Sequence, residues 1–337
     1  MPPLLERLGV ELPVVQAGMG GGISRHELAA AVSEAGGLGT IAVGGAAAIR
    51  RELAAARALT GRPLAVNLLL PFARRDWFEA AAAADVVVTF WGRPRRRTAG
   101  AWLHQGGSVA EARRAHAAGA DGVIVQGVEA GGHVRGTVPA MRLLEEVRSA
   151  LPRDYPLLLA GGIAERGDVR GALEAGACAA VAGTRFLLSE ESRAHALYKE
   201  RLLAAKETLL TDLFGAGWPA PHRVVPNAAT ERWLISGVRP LLGRGRTNDE
   251  RRTVLRAPAA NRALSHLLAP GVRHTPPALQ LRMIRAQRPG GRLLTPAGPT
   301  DDGPPNLIEA GALYAGETVA RIGAIRPTAE LVRELAG

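Results

Sequence analysis

Short apolar runs rich in Val, Ile, Leu and Ala recur along this chain, separated by Ala-, Arg- and Glu-rich segments with the period of a helix. Runs that are apolar at every position are typical of strands buried on both faces, as in a parallel sheet. Eight runs fit this description: Pro13–Ala17, Leu38–Val43, Leu64–Leu69, Val86–Phe90, Ala101–His104, Gly122–Gln126, Pro156–Ala160 and Ala179–Ala182. Helical segments alternate with them, which predicts an α/β fold of the (β/α)8 TIM-barrel class. A doubly wound open sheet is the alternative, although no GxGxxG motif follows the first run.

Three serines mark predicted helix starts. Ser24 with Glu27, and Ser108 with Glu111, have the spacing of a capping box, in which the serine hydroxyl accepts the backbone N–H three residues later. Ser189 is expected to open a long helix that runs to about Lys206.

The rhythm of strands and helices stops after Thr208, where turn residues become frequent. We therefore predict a barrel over residues 1–207, a smaller, mostly helical substrate or lid domain over 208–305, and C-terminal helices over 306–337 that return to the barrel. The last segment is amphipathic and predicts one helix over Leu307–Ile322 and a second over Thr328–Leu335, capped by Thr328.

Composition narrows the class of protein. The chain has 337 residues, of which 47% are hydrophobic, enough for one large domain and a smaller one. Its single cysteine, Cys178, excludes an internal disulfide and is typical of a reducing compartment. Without a secretory signal pattern or an apolar run of about 18 residues, we expect a cytoplasmic protein with no membrane partner. The net charge of +11 comes from scattered arginines, and 4% aromatic residues offer little base stacking, so a nucleic-acid partner is not favoured.

The ends of the last two predicted strands are rich in glycine. In a TIM barrel, phosphate groups commonly bind after strands seven and eight, where open backbone N–H groups meet the ligand. Ala160, Gly161 and Gly162 stand at the first of these ends, and Gly183 and Thr184 at the second. This pattern predicts a phosphate site.

The other strand ends offer amides and glycines rather than metal ligands. Strand one leads into Gln16–Gly22, strand three carries Asn67, strand five is followed by Gln105, and strand six ends at Gln126. Amide groups around a planar ring, with glycines beneath its face, suit flavin mononucleotide (FMN) better than a nicotinamide dinucleotide. The sequence has no HExxH, CxxC or GxSxG motif, so neither a metal site nor a serine nucleophile is expected.

A histidine follows strand six in the run Glu129-Ala130-Gly131-Gly132-His133. An isolated GGH is more often a turn with a surface histidine. Catalytic groups of TIM barrels lie at the carboxyl ends of strands, and imidazole exchanges protons near neutral pH, so His133 is the candidate catalytic residue. His104, at the end of strand five, is a second histidine that is placed to reach such a site.

Together these motifs resemble those of the nitronate monooxygenase family, formerly called 2-nitropropane dioxygenases. The segments that carry the resemblance are Pro13–Met19, Leu28–Gly39, Val66-Asn67, Glu129–His133, Ala160–Ile163, Gly183–Phe186 and Leu313–Glu317. The flavin-dependent enoyl-ACP reductase of the FabK type shares most of these motifs. The resemblance implies a TIM barrel that binds FMN, with a helical substrate domain inserted before the last helix.

The resemblance also implies roles for single residues. His133 is the implied active-site histidine beside the flavin N5. Gln105 stands where relatives often have a lysine, and it lacks the positive charge of that lysine. The implied FMN contacts are Ala17, Gly18, Met19, Asn67, Leu69, Gln105, Gln126, Gly132, Ala160, Gly161, Gly162, Gly183 and Thr184.

Two reactions fit the resemblance. One is the FMN-dependent oxidation of alkyl nitronates with O2 to carbonyl compounds and nitrite, in which His133 holds the anionic substrate. The other is FMN-dependent hydride transfer from NAD(P)H to a quinone or enoyl thioester, in which His133 donates a proton. A flavin-binding barrel without catalysis is a third alternative, and chemistry through Cys178 is disfavoured because a thiol among alanines is usually packed. We expect a small-molecule substrate, and the use of NAD(P)H and the formation of a homodimer stay open.

Overall fold

The computed structural model describes residues 3–233, 254–255, 263, 267 and 277–337. Its barrel strands are β1 (Val14–Gln16), β2 (Gly39–Ile41), β3 (Leu64–Leu69), β4 (Val86–Phe90), β5 (Ala101–Gly106), β6 (Gly122–Gln126), β8 (Leu157–Ala160) and β9 (Ala179–Ala182). These eight strands form one sheet in the order β1-β9-β8-β6-β5-β4-β3-β2, and every neighbouring pair is parallel. Each lies within or beside its predicted run, so the TIM-barrel prediction is confirmed.

The ring of strands closes between β1 and β2. The backbone N–H of Gln16 donates to the carbonyl of Leu38, and the N–H of Leu38 donates to Val14, both at 3.0 Å. The Gln16 side chain is fully buried, and its Oε1 accepts the backbone N–H of Thr40 at 2.8 Å. These bonds join the two ends of the sheet, which rejects the open doubly wound alternative.

The described residues divide into two compact units. The first, called here the barrel unit, comprises the chain up to Ala130, Arg135–Arg193 and Arg321–Gly337. Its helices are α1 (Pro3–Leu8), α2 (His26–Glu34), α3 (Ala46–Leu59), α4 (Arg75–Ala81), α5 (Val109–Ala117), α6 (Ala140–Ala150), α7 (Arg166–Glu174), α8 (Thr184–Leu187) and α13 (Thr328–Ala336).

Side chains of the barrel strands alternate between two apolar layers. One set, which includes Val15 and Ile124, packs inside the ring together with Leu5 of α1. The other set packs on the surrounding helices, as Val125 does in the layer that contains Leu144 of α6. This two-residue alternation decides which polar side chains near the strand ends face the interior of the ring.

The second unit comprises Gly131–Val134 and the described part of Ala194–Ala320. Its strands are β7 (Gly132–His133), β10 (Leu209–Thr211), β11 (His222–Val224) and β12 (Val254–Leu255), in the sheet order β12-β10-β11-β7. Its helices are α9 (Ala196–Ala204), α10 (Ala228–Trp233), α11 (Pro277–Arg285) and α12 (Leu307–Ala310), followed by a 3-10 helix at Glu317–Arg321. Strands of two or three residues are too short to show alternation, so the sequence did not predict this sheet. Residues 234–253 and most of 256–276, which belong to the predicted substrate domain, lie outside the described residues.

The two predicted capping boxes have different outcomes. Ser108 is the N-cap of α5, and its side chain accepts the backbone N–H of Glu111 at 3.3 Å, as predicted. The prediction for Ser24 is wrong, because α2 begins at His26. The Ser24 hydroxyl instead accepts the backbone N–H of Met19 at 2.9 Å and donates to its carbonyl at 3.1 Å. Ser24 therefore closes the loop that follows β1.

Two later helix starts also differ from the prediction. The N-cap of α9 is His195, whereas the Ser189 hydroxyl donates to the carbonyl of Phe186 at 2.8 Å. Thr328 is the first residue of α13 rather than its cap, and its backbone N–H donates to the Glu191 carboxylate at 2.9 Å. In both places, hydrogen bonds outside the predicted cap have replaced the expected local one.

The predicted helix over Leu307–Ile322 is wrong. Helix α12 stops before Gly311, and Tyr314 then forms an antiparallel bridge with Val224 at the end of β11. Pairing with another segment has overridden the helical preference of this stretch, which local sequence alone does not reveal.

Two expectations from composition bear on the fold. Among the described residues, no helix combines the length and the apolar character needed to cross a bilayer. Cys178 is buried just before β9, and burial raises the pKa of its thiol to about 12. The thiol is therefore protonated at neutral pH and does not act as a nucleophile, in agreement with its interpretation as a packed residue.

Gly39 lets α2 pack closely on β2, because a Cβ added there would lie 1.8 Å from the carbonyl oxygen of Ala29. We expect Gly39→Ala to lower the free energy of unfolding by about 3 kcal/mol, since neither backbone can yield. Gly171→Ala is the matched control, because an added Cβ inside α7 meets no described atom within 4 Å. This control is expected to stabilise the protein by about 0.5–1 kcal/mol. Urea unfolding measures both, and equal values for the two variants would contradict the packing argument.

Candidate functional site

The alternation of the barrel strands turns the predicted cofactor residues toward the interior of the ring. In β3, Asn67 and Leu69 share a face with Ala65, which belongs to the inner apolar cluster. The same two-residue spacing from inner-cluster residues of the other strands places four more predicted residues on the inner face: Ala17, Gln105, Gln126 and Ala160. The structure therefore brings these side chains to one end of the ring, the carboxyl end of its strands.

Gly18 and Asn67 meet at this end of the ring. A Cβ added to Gly18 would lie 2.4 Å from the Cβ of Asn67, so only glycine permits this approach. The Asn67 Oδ1 is buried, and it has no hydrogen-bond partner among the described residues. A buried amide oxygen without a donor costs about 1–3 kcal/mol, and a ligand N–H at this place would remove that cost. Met19, the next predicted contact, is held in the adjoining loop by Ser24.

Two glycines, Gly161 and Gly162, follow β8 at the carboxyl end of the ring. Gly161 and Gly162 have φ angles of +105° and +80°, in the region that favours glycine. A Cβ built on Gly162 meets no described atom within 4 Å, so the space in front of its backbone is open. Backbone N–H groups that are accessible in this way suit a phosphate group.

The second predicted phosphate segment lies on the neighbouring strand. Ala160 of β8 pairs with Val181 of β9, so the residues that follow the two strands emerge side by side. A Cβ on Gly183 would touch Ala17 at 3.6 Å, and Thr184 is the buried first residue of α8. The structure thus groups both Gly-rich ends with the loop that follows β1.

Arg135 brings a positive charge to the ends of β4 and β5, and sequence analysis did not single it out. Its backbone N–H donates to the Oε1 of Gln126 at 2.8 Å. Its guanidinium lies 4.5 Å over the ring of Trp91 and forms an ion pair with Glu111. Burial lowers the pKa of Arg135. Among the described residues other than glycine, Trp91 alone has a positive φ, 61°. Backbone strain of this kind is typical of functional sites.

His104 does not reach the interior of the ring, so its proposed role at the site is wrong. It lies on the same face of β5 as Trp102, which belongs to the outer layer. Its Nδ1 is hydrogen-bonded to the hydroxyl of Thr89 at 2.8 Å, and that hydroxyl accepts the indole N–H of Trp102 at 2.7 Å. Burial, with smaller effects of Arg114 and Arg135, lowers the pKa of His104 to about 4.

Within the second unit, His133 lies in a cluster of aromatic rings. Its imidazole stacks on the indole of Trp218, with the ring centroids 4.0 Å apart and the planes at 29°. The rings of His222 and Tyr314 each lie 5.5 Å from it. Burial and, to a smaller extent, the charge of His222 hold the pKa of His133 well below its usual value. His133 is therefore a neutral imidazole at pH 7.

His222 is fixed in one neutral tautomer. It pairs with His133 in the ladder between β11 and β7, and it is fully buried. Its Nε2 accepts the backbone N–H of Phe214 at 3.2 Å, so its Nδ1 carries the proton and donates to the carbonyl of Ala220 at 2.8 Å. Burial lowers the pKa of His222 to about 4.

Gly132, a predicted cofactor contact, belongs to the second unit together with His133. It has a φ of +73°, and a Cβ added there meets no described atom within 4 Å. It pairs with Arg223, whose buried guanidinium lies 2.9 Å from the carboxylate of Glu317. The other predicted cofactor residues all belong to the barrel unit.

Comparison with known proteins identifies the family. The family model of nitronate monooxygenases matches residues 2–97 and 94–241. This chain belongs to the nitronate monooxygenase family. It is 33% identical over 298 residues to a nitronate monooxygenase of Pseudomonas aeruginosa, a match that covers 69% of this chain and 82% of that protein. The family resemblance seen in the sequence is confirmed, and the protein is an oxidoreductase.

A second relative is an enzyme whose name specifies a different substrate. The chain is 36% identical over 253 residues to the (3aS,4S,5R,7aS)-5-hydroxy-7a-methyl-1-oxo-octahydro-1H-indene-4-carboxyl-CoA dehydrogenase of Mycobacterium tuberculosis, covering 70% of this chain and 69% of that enzyme.

Two solved structures share the fold over nearly the whole chain. FabK from Thermotoga maritima has a TM-score of 0.73 at 26% identity, covering 99% of this chain and 94% of FabK. The nitroalkane oxidase from Streptomyces ansochromogenes has a TM-score of 0.70 at 30% identity, covering 99% of this chain and 96% of that enzyme.

The buried His104 makes the stability of the protein sensitive to acid. The pKa of His104 is about 4 in the folded protein, whereas its ordinary value, which applies to the unfolded chain, is 6.5. Protonation of His104 therefore favours the unfolded chain. The contribution of neutral His104 is fully present above pH 6.5 and is lost as the pH falls toward 4, by about 3 kcal/mol in total. Urea unfolding measures the free energy of unfolding of the wild-type protein and of His104→Gln at about pH 7 and about pH 4.5. The stability of the wild-type protein relative to the variant should be about 2 kcal/mol lower at about pH 4.5 than at about pH 7. A difference that does not change with pH would contradict this prediction.

Proposed function

We propose that this protein is an FMN-dependent nitronate monooxygenase that oxidises alkyl nitronates with O2 to carbonyl compounds and nitrite. The observation that carries the proposal is the buried Asn67 Oδ1 beside Gly18 at the carboxyl end of the ring, for which the described part of the chain supplies no donor. In a chain of the nitronate monooxygenase family, this buried amide oxygen supports a cofactor that offers an N–H donor at this place.

FMN fits the residues that are present. Asn67 offers its amide to the edge of the ring, and Gly18 lets the loop after β1 approach Asn67 closely. Leu69, Gln105 and Gln126 complete the inward-facing set. The remaining proposed contacts of the barrel unit are Ala17, Met19, Ala160, Gly161, Gly162, Gly183 and Thr184, the last four at the phosphate. Bound FMN would supply the redox chemistry that no side chain provides.

His133 is the proposed catalytic residue, with Gly132 as its neighbour in β7. A neutral imidazole carries one N–H donor and one acceptor, so it binds an anionic nitronate oxygen by a hydrogen bond without a full positive charge.

The FabK-like structure favours a second candidate, an FMN-dependent NAD(P)H reductase of a quinone or enoyl thioester. The TM-score of 0.73 to FabK from Thermotoga maritima and the relative that acts on a carboxyl-CoA support this candidate. The barrel unit serves either reaction, so the electron donor and the acceptor decide between them.

Oxygen consumption and flavin bleaching separate the two reactions. With propyl nitronate in air, we expect O2 uptake and stoichiometric nitrite, and His133→Ala should lower kcat/KM by about 100-fold or more while FMN stays bound. Under anaerobic conditions, NADH alone should bleach the flavin slowly. Rapid bleaching by NADH, without nitronate-dependent O2 uptake, would reject the monooxygenase and support the reductase.

The contact between Gly18 and Asn67 allows a direct test of the cofactor site. Gly18→Ala should weaken FMN binding by about 10-fold or more, because the added methyl pushes Asn67 from its place. Gly20→Ala, in the same loop, is the matched control, since its Cβ meets no described atom within 4 Å. Fluorescence titration of the apoprotein with FMN measures both dissociation constants. Equal affinities of the two variants would reject this placement of the flavin.

A further inference from the structure

We propose that Trp218 is a positioning residue for His133, and that its indole fixes the plane of the imidazole by covering one of its faces. This inference rests on the proposed catalytic role of His133. It concerns only residues of the second unit, and it assigns a function to an aromatic side chain that no motif of the sequence singled out.

The ring geometry is that of a packed stack. The planes of His133 and Trp218 are inclined by 29° at a centroid distance of 4.0 Å, so the two rings are in contact over their faces. His222 meets the same imidazole edge-on at 65°, and Tyr314 meets it at 45°. Each of the three neighbours approaches in a different orientation, which restricts rotation of the His133 ring about its side-chain bonds.

The loop that carries Trp218 is tied to the strand that carries His133. The backbone N–H of Val134, the residue after His133, donates to the carbonyl of Pro221 at 2.9 Å. The Nδ1 of His222 donates to the carbonyl of Ala220 at 2.8 Å. The first bond ties the loop to the segment of β7, and the second ties it to β11, the neighbour of β7 in the sheet.

The loop is stiff within itself. The backbone N–H of Trp218 donates to the carbonyl of Gly215 at 2.9 Å, which forms a tight turn. A Cβ on Gly215 would lie 2.8 Å from the carbonyl oxygen of Asp212, so this turn requires glycine. Pro219 and Pro221 restrict the backbone on the other side of Trp218. A stiff loop suits a side chain that has to hold a catalytic ring in place.

The two titratable rings that contact His133 in the described chain, those of His222 and Tyr314, are uncharged at neutral pH. His222, on β11, has a pKa of about 4, and burial raises the pKa of the Tyr314 phenol above its usual value. Arg223, the next residue of β11, lies on the opposite face of the strand and pairs with Glu317. The indole excludes water from one face of His133 and brings no charge, so it favours the neutral imidazole.

The experiment compares three variants in the FMN-loaded enzyme: Trp218→Ala, which removes the stack, Trp218→Phe, which keeps an aromatic face, and Trp233→Phe, the control. Trp233 lies in α10 of the same unit and donates its indole N–H to the carbonyl of Pro289 at 2.9 Å. The readouts are kcat and KM, the melting temperature, and the imidazole resonances of His133 in protein labelled with 15N-histidine. Assignment of these resonances uses the His133→Ala spectrum.

Trp218→Ala should lower kcat by about 10-fold with a smaller change in KM, because the imidazole loses its fixed orientation. Its His133 should also titrate at a higher pH than in the wild-type protein, since water then reaches the ring. Trp218→Phe should stay within about 3-fold of the wild-type kcat, because it retains a stacking face. The Trp233→Phe control should leave the titration of His133 unchanged.

A lower melting temperature of Trp218→Ala with an unchanged His133 titration and unchanged kcat would overturn the inference, because it would make Trp218 a packing residue only. If Trp218→Ala does not fold, Trp218→Leu fills a similar space without a stacking ring and decides the question by the same readouts. Failure of wild-type enzyme to oxidise nitronates would reject the proposed function, while the NMR comparison would still test the coupling of Trp218 to His133.

Discussion

The closed ring of parallel strands imposes one constraint on every residue near the site: alternate side chains face inward. Away from the carboxyl ends of the strands, the inward-facing side chains are apolar, as those of Val15 and Ile124 are. At the carboxyl ends the same rule turns the side chains of Asn67 and Gln126 toward the interior. The Gln16 amide adds to the backbone hydrogen bonds that close the ring between β1 and β2, the strand pair from which the loop after β1 emerges.

The titratable side chains of the two units are stabilised in different ways. In the barrel unit, the guanidinium of Arg135 is neutralised by Glu111 and lies on the indole of Trp91. In the second unit, His133 and His222 are kept neutral by burial. The net charge of +11 thus says little about the candidate site, because arginines elsewhere in the chain often pair with acidic side chains, as Arg96 does with Asp121 at 2.7 Å.

Sequence alone predicts the barrel well because its strands are continuous apolar runs with a buried-strand signature. It also predicts the glycines at the carboxyl ends of the strands. A backbone with a positive φ, as at Gly161, favours glycine, and a glycine is visible in the sequence. It fails at Ser24 and at the stretch around Tyr314, where contacts with distant segments decide the local structure.

The site residues that sequence reasoning missed are defined by contacts between segments far apart in the chain. Arg135 matters through Trp91 and Glu111, and His222 matters through its pairing with His133. Such pairs have no fixed spacing and therefore no motif. The fold has to be known before their chemistry becomes visible.

The thiol of Cys178 has a practical consequence. Its sulfur is buried, and burial raises its pKa to about 12, so the thiol is protonated at neutral pH. Maleimide and other electrophilic probes will leave it untouched while the protein is folded. A cysteine introduced on the surface will be the sole labelled position, so the native chain is already a background for spectroscopic probes.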